Sequence, residues 1–324
     1  EDFKNVITGW FKTRFDAVLD SDHLVYGPSV IYIISQLIQH WSNTGQGVII
    51  HTPAYDAFDK MILGLDRTII ANPLQPTSQG FQLDWYQFES HLADPNNKIL
   101  LLCSPHNPTG KVWSMEELNR MAELCEKHNV AVISDEIHMD VCFKPHTPWQ
   151  GFDMGSRWAL VSSASKSFNI PALNGAYAFI EEQPAREQYL FNLKQVDGLS
   201  SPSILGVIGL MAAYQNGAPW LDALKKYLYA NHLHVQQTLS EQLPSIKYQI
   251  PDATYLAWID LSPLSIDMEA LNQCLIKKHK VAIMQGSTYG ETGKNFVRLN
   301  LGCPRSKVEQ GLVALILAIK ELEK

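Results

Sequence analysis

Short, nearly continuous apolar runs recur through the first two thirds of this chain, each followed within a few residues by a polar group and then by a helical pattern. The runs are Gly47–His51, Thr68–Ala71, Lys98–Cys103, Val130–Ser134, Ala159–Ser163 and Gly175–Ile180. A strand that is apolar on both sides is stable only in a sheet whose two faces are both covered, which is the situation of parallel strands under crossover helices. The intervening helices announce their starts. Ser29 stands as N-cap before Val30, Ile33, Leu37 and Trp41, and Ser114 with Glu117 forms an S-x-x-E capping box before Leu118, Met121 and Cys125. The alternation predicts an α/β fold with a mostly parallel, helix-covered sheet.

From about Trp220 the pattern changes. A long helix over Trp220–Leu243 leads to an alternating strand, Thr254–Leu261, then a helix, two short strands and a final helix after Pro304. We expect a large domain over residues 1–218, opened by a helix over 1–20, and a smaller α+β domain over 219–324. A length of 324 residues suits one large core and one small one.

Composition removes several classes of function. A hydrophobic share of 46% with 18% charged residues is that of a compact folded chain. A net charge of −7 offers no basic footprint for nucleic acid. The longest apolar run, Val313 to Ile319, lies inside an amphipathic helix and falls short of the roughly 20 residues that span a bilayer. The N-terminus mixes charges with aromatics and lacks a signal-peptide layout. Five cysteines (Cys103, Cys125, Cys142, Cys274 and Cys303) are dispersed without a C-x-x-C pair. Such a set reads as reduced thiols of a cytoplasmic protein rather than as a disulfide framework or a zinc site, so no metal is expected.

In open α/β sheets, ligands bind beyond the carboxyl ends of the strands. Tyr55 follows the first run, Asn107 of Ser-Pro-His-Asn-Pro-Thr-Gly the third, Asp135 the fourth and Ser163-Ala164-Ser165-Lys166 the fifth. Each has an ordinary reading alone: a lysine after a strand is mostly solvated, Asp-Glu is a loop or cap, and Asn-Pro-Thr-Gly is a good turn. Their common placement is what carries information. No Gly-x-Gly-x-x-Gly or phosphate-binding P-loop competes for the same edge. The four groups meet the needs of pyridoxal 5′-phosphate (PLP): a lysine amine for its aldehyde, a carboxylate to keep its pyridine nitrogen protonated, a donor for its 3′-oxygen and an aromatic plane for its ring. Its phosphate calls for a helix N-terminus, offered by Ser29 and Val30, and for hydroxyls, offered by Ser163 and Ser165.

The order Tyr55, Asn107-Pro108-Thr109-Gly110, Asp135, Ser163–Lys166 and Phe296-Val297-Arg298 resembles the fold-type I PLP enzymes, the aminotransferase class I/II superfamily. Longer strings, DEIHMD at 135–140, SKSFNIPALNGAY at 165–177, DGLSSPS at 197–203, GAPWL at 217–221 and CPRSK at 303–307, resemble its MalY/PatB cystathionine β-lyases, and the likeness runs from about Val25 to the C-terminus. The resemblance implies Lys166 as the Schiff-base lysine and proton shuttle, Asp135 at the pyridine nitrogen, Asn107 at the 3′-oxygen, Tyr55 stacked on the ring and Arg298 on the carboxylate of a small amino-acid substrate. Aminotransferases carry a tyrosine three residues after the aspartate; this chain has His138, as the lyase subgroup does. The implied reaction is carbon–sulfur β-elimination from L-cystathionine or a related cysteine conjugate, by a homodimer. Family members begin with a further segment that reaches the neighbouring subunit's phosphate site, and the sequence as given is expected to lack it. An aminotransferase would use the same residues, and a binding or regulatory protein on the same fold is the reading from another class.

Overall fold

The computed structural model describes residues 2–78 and 80–323. Its strands are β1 (Leu24–Gly27), β2 (Gly47–Thr52), β3 (Thr68–Thr77), β4 (Gly80–Leu83), β5 (Asn97–Cys103), β6 (Ala131–Asp135), β7 (Trp158–Ser162), β8 (Ala176–Ile180), β9 (Leu256–Asp260), β10 (Met284–Gln285) and β11 (Phe296–Asn300). Its α-helices are α1 (Asp2–Phe15), α2 (Val30–Trp41), α3 (Asp56–Gly64), α4 (Trp85–Ala93), α5 (Met115–Lys127), α6 (Gln183–Phe191), α7 (Ile204–Asn216), α8 (Ala218–Gln242), α9 (Met268–Lys277) and α10 (Arg305–Leu322).

Among the described residues, the first eight strands form one sheet in the order β1-β8-β7-β6-β5-β2-β3-β4. Strands β7, β6, β5, β2 and β3 run parallel, while β8 is antiparallel to β7 and β1, and β4 is antiparallel to β3. The near-continuous apolar runs are explained by where alternate residues go. Ile49, Leu100, Leu102, Val132 and Leu160 enter one core with Trp10 and Phe11 of α1, Phe88 of α4, Met121 of α5 and Tyr214 of α7. Their neighbours Val48, Ile50, Leu101, Ile133 and Val161 enter a second core with α2, α3 and α6. Both faces are thus dry, and no polar side chain on them is tolerated without a partner.

A third core gathers Val235 and Leu239 of α8, Ile259 of β9, Val297 and Leu299 of β11, Leu275 of α9 and Leu315 of α10. It covers an antiparallel sheet ordered β10-β11-β9. The helix expected over residues 1–20 ends at Phe15, because Asp16 turns left-handed at φ 53°. Strand β3 runs past Ala71 to Thr77: Asn72 and Pro73 still register with His51 and Thr52 of β2, and residues 74–77 pair with β4, a two-stranded stretch that tolerates Pro76. Both helix caps read from the sequence are present: Ser29 accepts the Tyr32 N–H, and Ser114 and Glu117 cap reciprocally.

One buried carboxylate fixes the turn after β6. Glu136 Oε1 accepts from Ser134 Oγ at 2.9 Å and from the Trp149 N–H at 2.7 Å, and Oε2 faces His146 Nε2 at 2.9 Å. Its backbone carbonyl accepts from Ser162 Oγ at 3.0 Å, tying β6 to β7. Glu136→Ala strands three polar groups in a dry interior; unfolding by urea is expected to show a loss of about 3–5 kcal/mol.

Candidate active site

The carboxyl ends of β2, β5, β6 and β7 open on a cleft of about 500 Å³ that the small sheet closes from the other side. The parallel strands reverse their order between β2 and β5, and the cleft lies at that switch point. Lys166, Asp135, Asn107, Tyr55, His138, Ser163, Ser165, Ser29, Val30 and Arg298 all line it. The structure therefore brings together every site residue predicted from the sequence, from four strand ends, one helix start and the far sheet.

Asp135 is the last residue of β6 and is buried. One oxygen accepts the Ile137 N–H at 3.1 Å. Loss of water drives its carboxyl up to about 7, against the opposing pull of that hydrogen bond and of the nearby Lys166. His138 is pushed down to about 3, first by burial and then by Lys166 and Arg298, and is neutral at physiological pH. Its Nδ1 is buried without a hydrogen-bond partner, and its ring meets Tyr255 edge-on at 6.2 Å.

Asn107 sits in a tight turn closed by the Gly110 N–H on the His106 carbonyl at 2.7 Å. Gly110 has φ +68°, and a Cβ there would lie 2.4 Å from Pro251 Cβ and 2.7 Å from the Ala253 carbonyl. Only glycine lets this turn seat against the small domain. The turn is held from behind by His106, whose Nε2 contacts the His51 carbonyl at 3.2 Å and whose Nδ1 contacts Thr109 Oγ1 at 2.8 Å. Since a carbonyl only accepts, Nε2 carries the proton and Nδ1 accepts from the threonine.

Arg298, on β11, donates from Nη1 to Asn107 Oδ1 at 3.1 Å and lies over the Tyr289 ring at 4.9 Å. A guanidinium only donates, so this bond fixes the amide with its oxygen toward Arg298 and leaves the Asn107 Nδ2 hydrogens for another acceptor. Ser163 is committed on both sides: it donates to the Gly175 carbonyl at 2.6 Å and accepts the Ser165 N–H at 3.1 Å. It shapes the loop that carries Lys166. Val30 begins α2, where backbone N–H groups lack acceptors within the helix. Tyr55 precedes α3 and packs edge-on to Phe58 at 5.9 Å.

Among the described residues, Lys166, Asp135 and Arg298 form no salt bridge. The cleft thus offers an amine, a carboxylate, an amide donor and a guanidinium to a ligand with matching groups. Residues 1–315 match the aminotransferase class I and II family. The chain belongs to that family. It is 54% identical over 322 residues to protein MalY of Escherichia coli K12, covering 99% of this chain and 82% of that protein. It is 34% identical over 313 residues to the cystathionine beta-lyase PatB of Bacillus subtilis 168, covering 95% and 81%. The solved structure of the PLP-bound C–S lyase from Staphylococcus hominis superimposes with a TM-score of 0.93 at 27% identity, covering 99% of this chain and 84% of the other.

Sequence reasoning missed some residues that this class I and II aminotransferase-family chain places in the cleft. Tyr255, just before β9, and Asn300, the last residue of β11, line the cleft, and Asn174 adopts φ 52° while its carbonyl accepts from Tyr26 Oη at 3.0 Å. The Asn174-Gly175 pair is a readable turn, but nothing in the linear sequence shows which side of the small sheet Tyr255 faces.

The raised Asp135 gives a signed test. Between about pH 4 and 7 the folded, ligand-free protein keeps a proton that the unfolded chain has released, so stability is lost as pH rises through that window, by about 1.4 kcal/mol for each step of one in pH. Asp135→Asn lacks this loss. Calorimetry of the ligand-free proteins is expected to show the variant melting progressively higher than the parent from pH 5 to 8.

Proposed function

We propose that this chain is a PLP-dependent carbon–sulfur β-lyase that cleaves L-cystathionine or a related cysteine S-conjugate to pyruvate, ammonia and a thiol. The observation that carries this reading is a lysine, a carboxylate and a guanidinium facing one cleft without salt-bridge partners, in a chain 34% identical to a cystathionine beta-lyase. The donor set suits the cofactor. Asp135 is a buried acceptor that needs a cationic N–H, Asn107 Nδ2 needs an acceptor and the start of α2 suits a phosphate.

When bound, PLP supplies an aldehyde for amines and a ring that draws in the electron pair released when the Cα–H bond breaks. Lys166 would anchor that aldehyde and, as a free amine, would take the Cα proton. Asp135, ionised, accepts the ring N–H and holds that nitrogen protonated. Asn107 donates to the 3′-oxygen from the amide hydrogens that Arg298 leaves free, and Tyr55 covers the ring. Arg298 grips the substrate α-carboxylate with parallel N–H groups that a lysine cannot reproduce. His138, being neutral, adds no positive charge that would compete with the ring nitrogen for Asp135. Ser29, Val30 and Ser165 hold the phosphate, with Ser163 setting the loop geometry.

Borohydride reduction of the PLP-loaded protein followed by peptide mapping is expected to place the adduct on Lys166, and Lys166→Ala to lower turnover of cystathionine by about 10²–10⁴-fold. Arg298→Lys is expected to keep the adduct while raising KM by about 10–100-fold, the worth of a charged hydrogen bond. An adduct on another lysine, or turnover only when a keto acid is added, overturns the reading.

We further infer a homodimer working in the cytoplasm, with its two domains dividing between residues 218 and 219. No helix among the described residues is long and apolar enough to cross a membrane, and the cysteines are unpaired. Support for the dimer comes from exposed apolar side chains between α6 and α7: Phe191, Val196, Ile204, Leu205 and Ile208, each more than half exposed. Leu205→Glu places an acid in the first turn of α7, where the helix dipole favours it, so the fold is kept. Sedimentation is expected to show the variant shifted toward monomer.

A further inference from the structure

Away from the cleft, the end of α9 and the last turn of α10 bring three metal-ligand side chains together. Cys274 Sγ lies 3.6 Å from Glu321 Oε2, and His279 Nε2 lies 3.6 Å from Glu321 Oε1. The ligand atoms of Cys274, His279 and Glu321 all fall within 4.8 Å of one another. Tetrahedral coordination at zinc bond lengths of about 2.0–2.3 Å sets neighbouring ligand atoms about 3.3–3.8 Å apart. The two 3.6 Å contacts fall in that range, and the remaining ligand-atom separations stay within 4.8 Å. The turn is held in place by the His279 N–H, which donates to the Cys274 carbonyl at 3.2 Å.

A second observation points the same way. His279 Nε2 is sealed from solvent yet makes no hydrogen bond. Glu321 Oε1, at 3.6 Å, is too far to bond it, and a buried ring nitrogen without a hydrogen bond carries a desolvation cost that a metal ion removes. We propose that Cys274, His279 and Glu321 bind one zinc-type divalent cation, with solvent in the fourth position. The thiolate, imidazole and carboxylate set selects zinc or cobalt over magnesium. On binding, the Cys274 thiol releases its proton to solvent, and the metal takes the place beside Glu321 now held by the Lys278 ammonium at 2.5 Å. Lys278 is largely exposed and moves into water. Two anionic ligands then balance the doubly charged ion. The ion pins α9 to α10, both of which pack the third core, and so stabilises the fold by mass action. The dispersed cysteines gave no zinc signature because the carboxylate comes from a separate helix, 42 residues beyond the histidine.

Calorimetric titration of the holoprotein with zinc is expected to give one equivalent, and magnesium no heat. Cobalt is expected to give the visible bands of a tetrahedral site. Cys274→Ser and His279→Ala are each expected to weaken zinc binding at least about tenfold, while Cys303→Ser leaves it unchanged. Lys278→Ala removes the competing cation and is expected to tighten binding, a gain that misfolding cannot produce. Absence of one-to-one zinc binding, its survival in both ligand variants, its loss in Cys303→Ser or its weakening in Lys278→Ala each overturns the proposal.

Discussion

Burial of the central parallel strands on both faces governs what the rest of this molecule can do. Residues 99–102 and 131–133 have no accessible surface to speak of, so neither face of the sheet can carry chemistry. Polar groups are admitted where a strand stops, and the fold stops four neighbouring strands at one edge. Asp135 shows the constraint most sharply. It is the last residue of β6, its neighbour Ser134 still belongs to the dry interior, and the next residue, Glu136, turns back to satisfy Ser134, Trp149 and His146. Two adjacent carboxylates thus have opposite fates: Glu136 is saturated and structural, and Asp135 is left facing the cleft.

The second constraint is that the site is complete only across two sheets. Arg298 comes from the small antiparallel sheet and reaches Asn107 on the large one. Gly110 lets the Asn107 turn press against residues 251 and 253 of the other body. The same contact that orients the amide therefore also sets the distance between the two halves of the cleft. A shift of one sheet relative to the other disturbs the Arg298 and Asn107 contacts together.

Much of this was legible in the sequence because two periodicities mark it. Continuous apolar runs identify strands buried on both faces, and the residues just beyond them, Tyr55, Asn107, Asp135 and Lys166, are placed by that alone. Ser29 and Ser114 mark helix starts by local hydrogen bonding, which needs no tertiary information. What was not legible depends on long-range packing. The outer end of β3, residues 74–77, is a strand only because β4 folds back on it. The stop of α1 at Phe15 rests on a left-handed aspartate that helix periodicity does not encode. Tyr255 joins the cleft, and Glu321 joins Cys274 and His279, through the mutual placement of elements that share no sequence neighbourhood.

The unsatisfied carboxylate of Asp135 bears on the lifetime of the protein as well as on its chemistry. Until a cationic ring nitrogen sits opposite it, the folded chain near neutral pH carries the free-energy cost of a carboxyl that burial holds partly protonated while the unfolded chain ionises it. A bound partner removes that cost, so newly made and loaded chains differ in how often they open. Proteases sample open states in proportion to their population. An occupied cleft thus lowers the population of open states, and the same chain is opened more often when the cleft is empty.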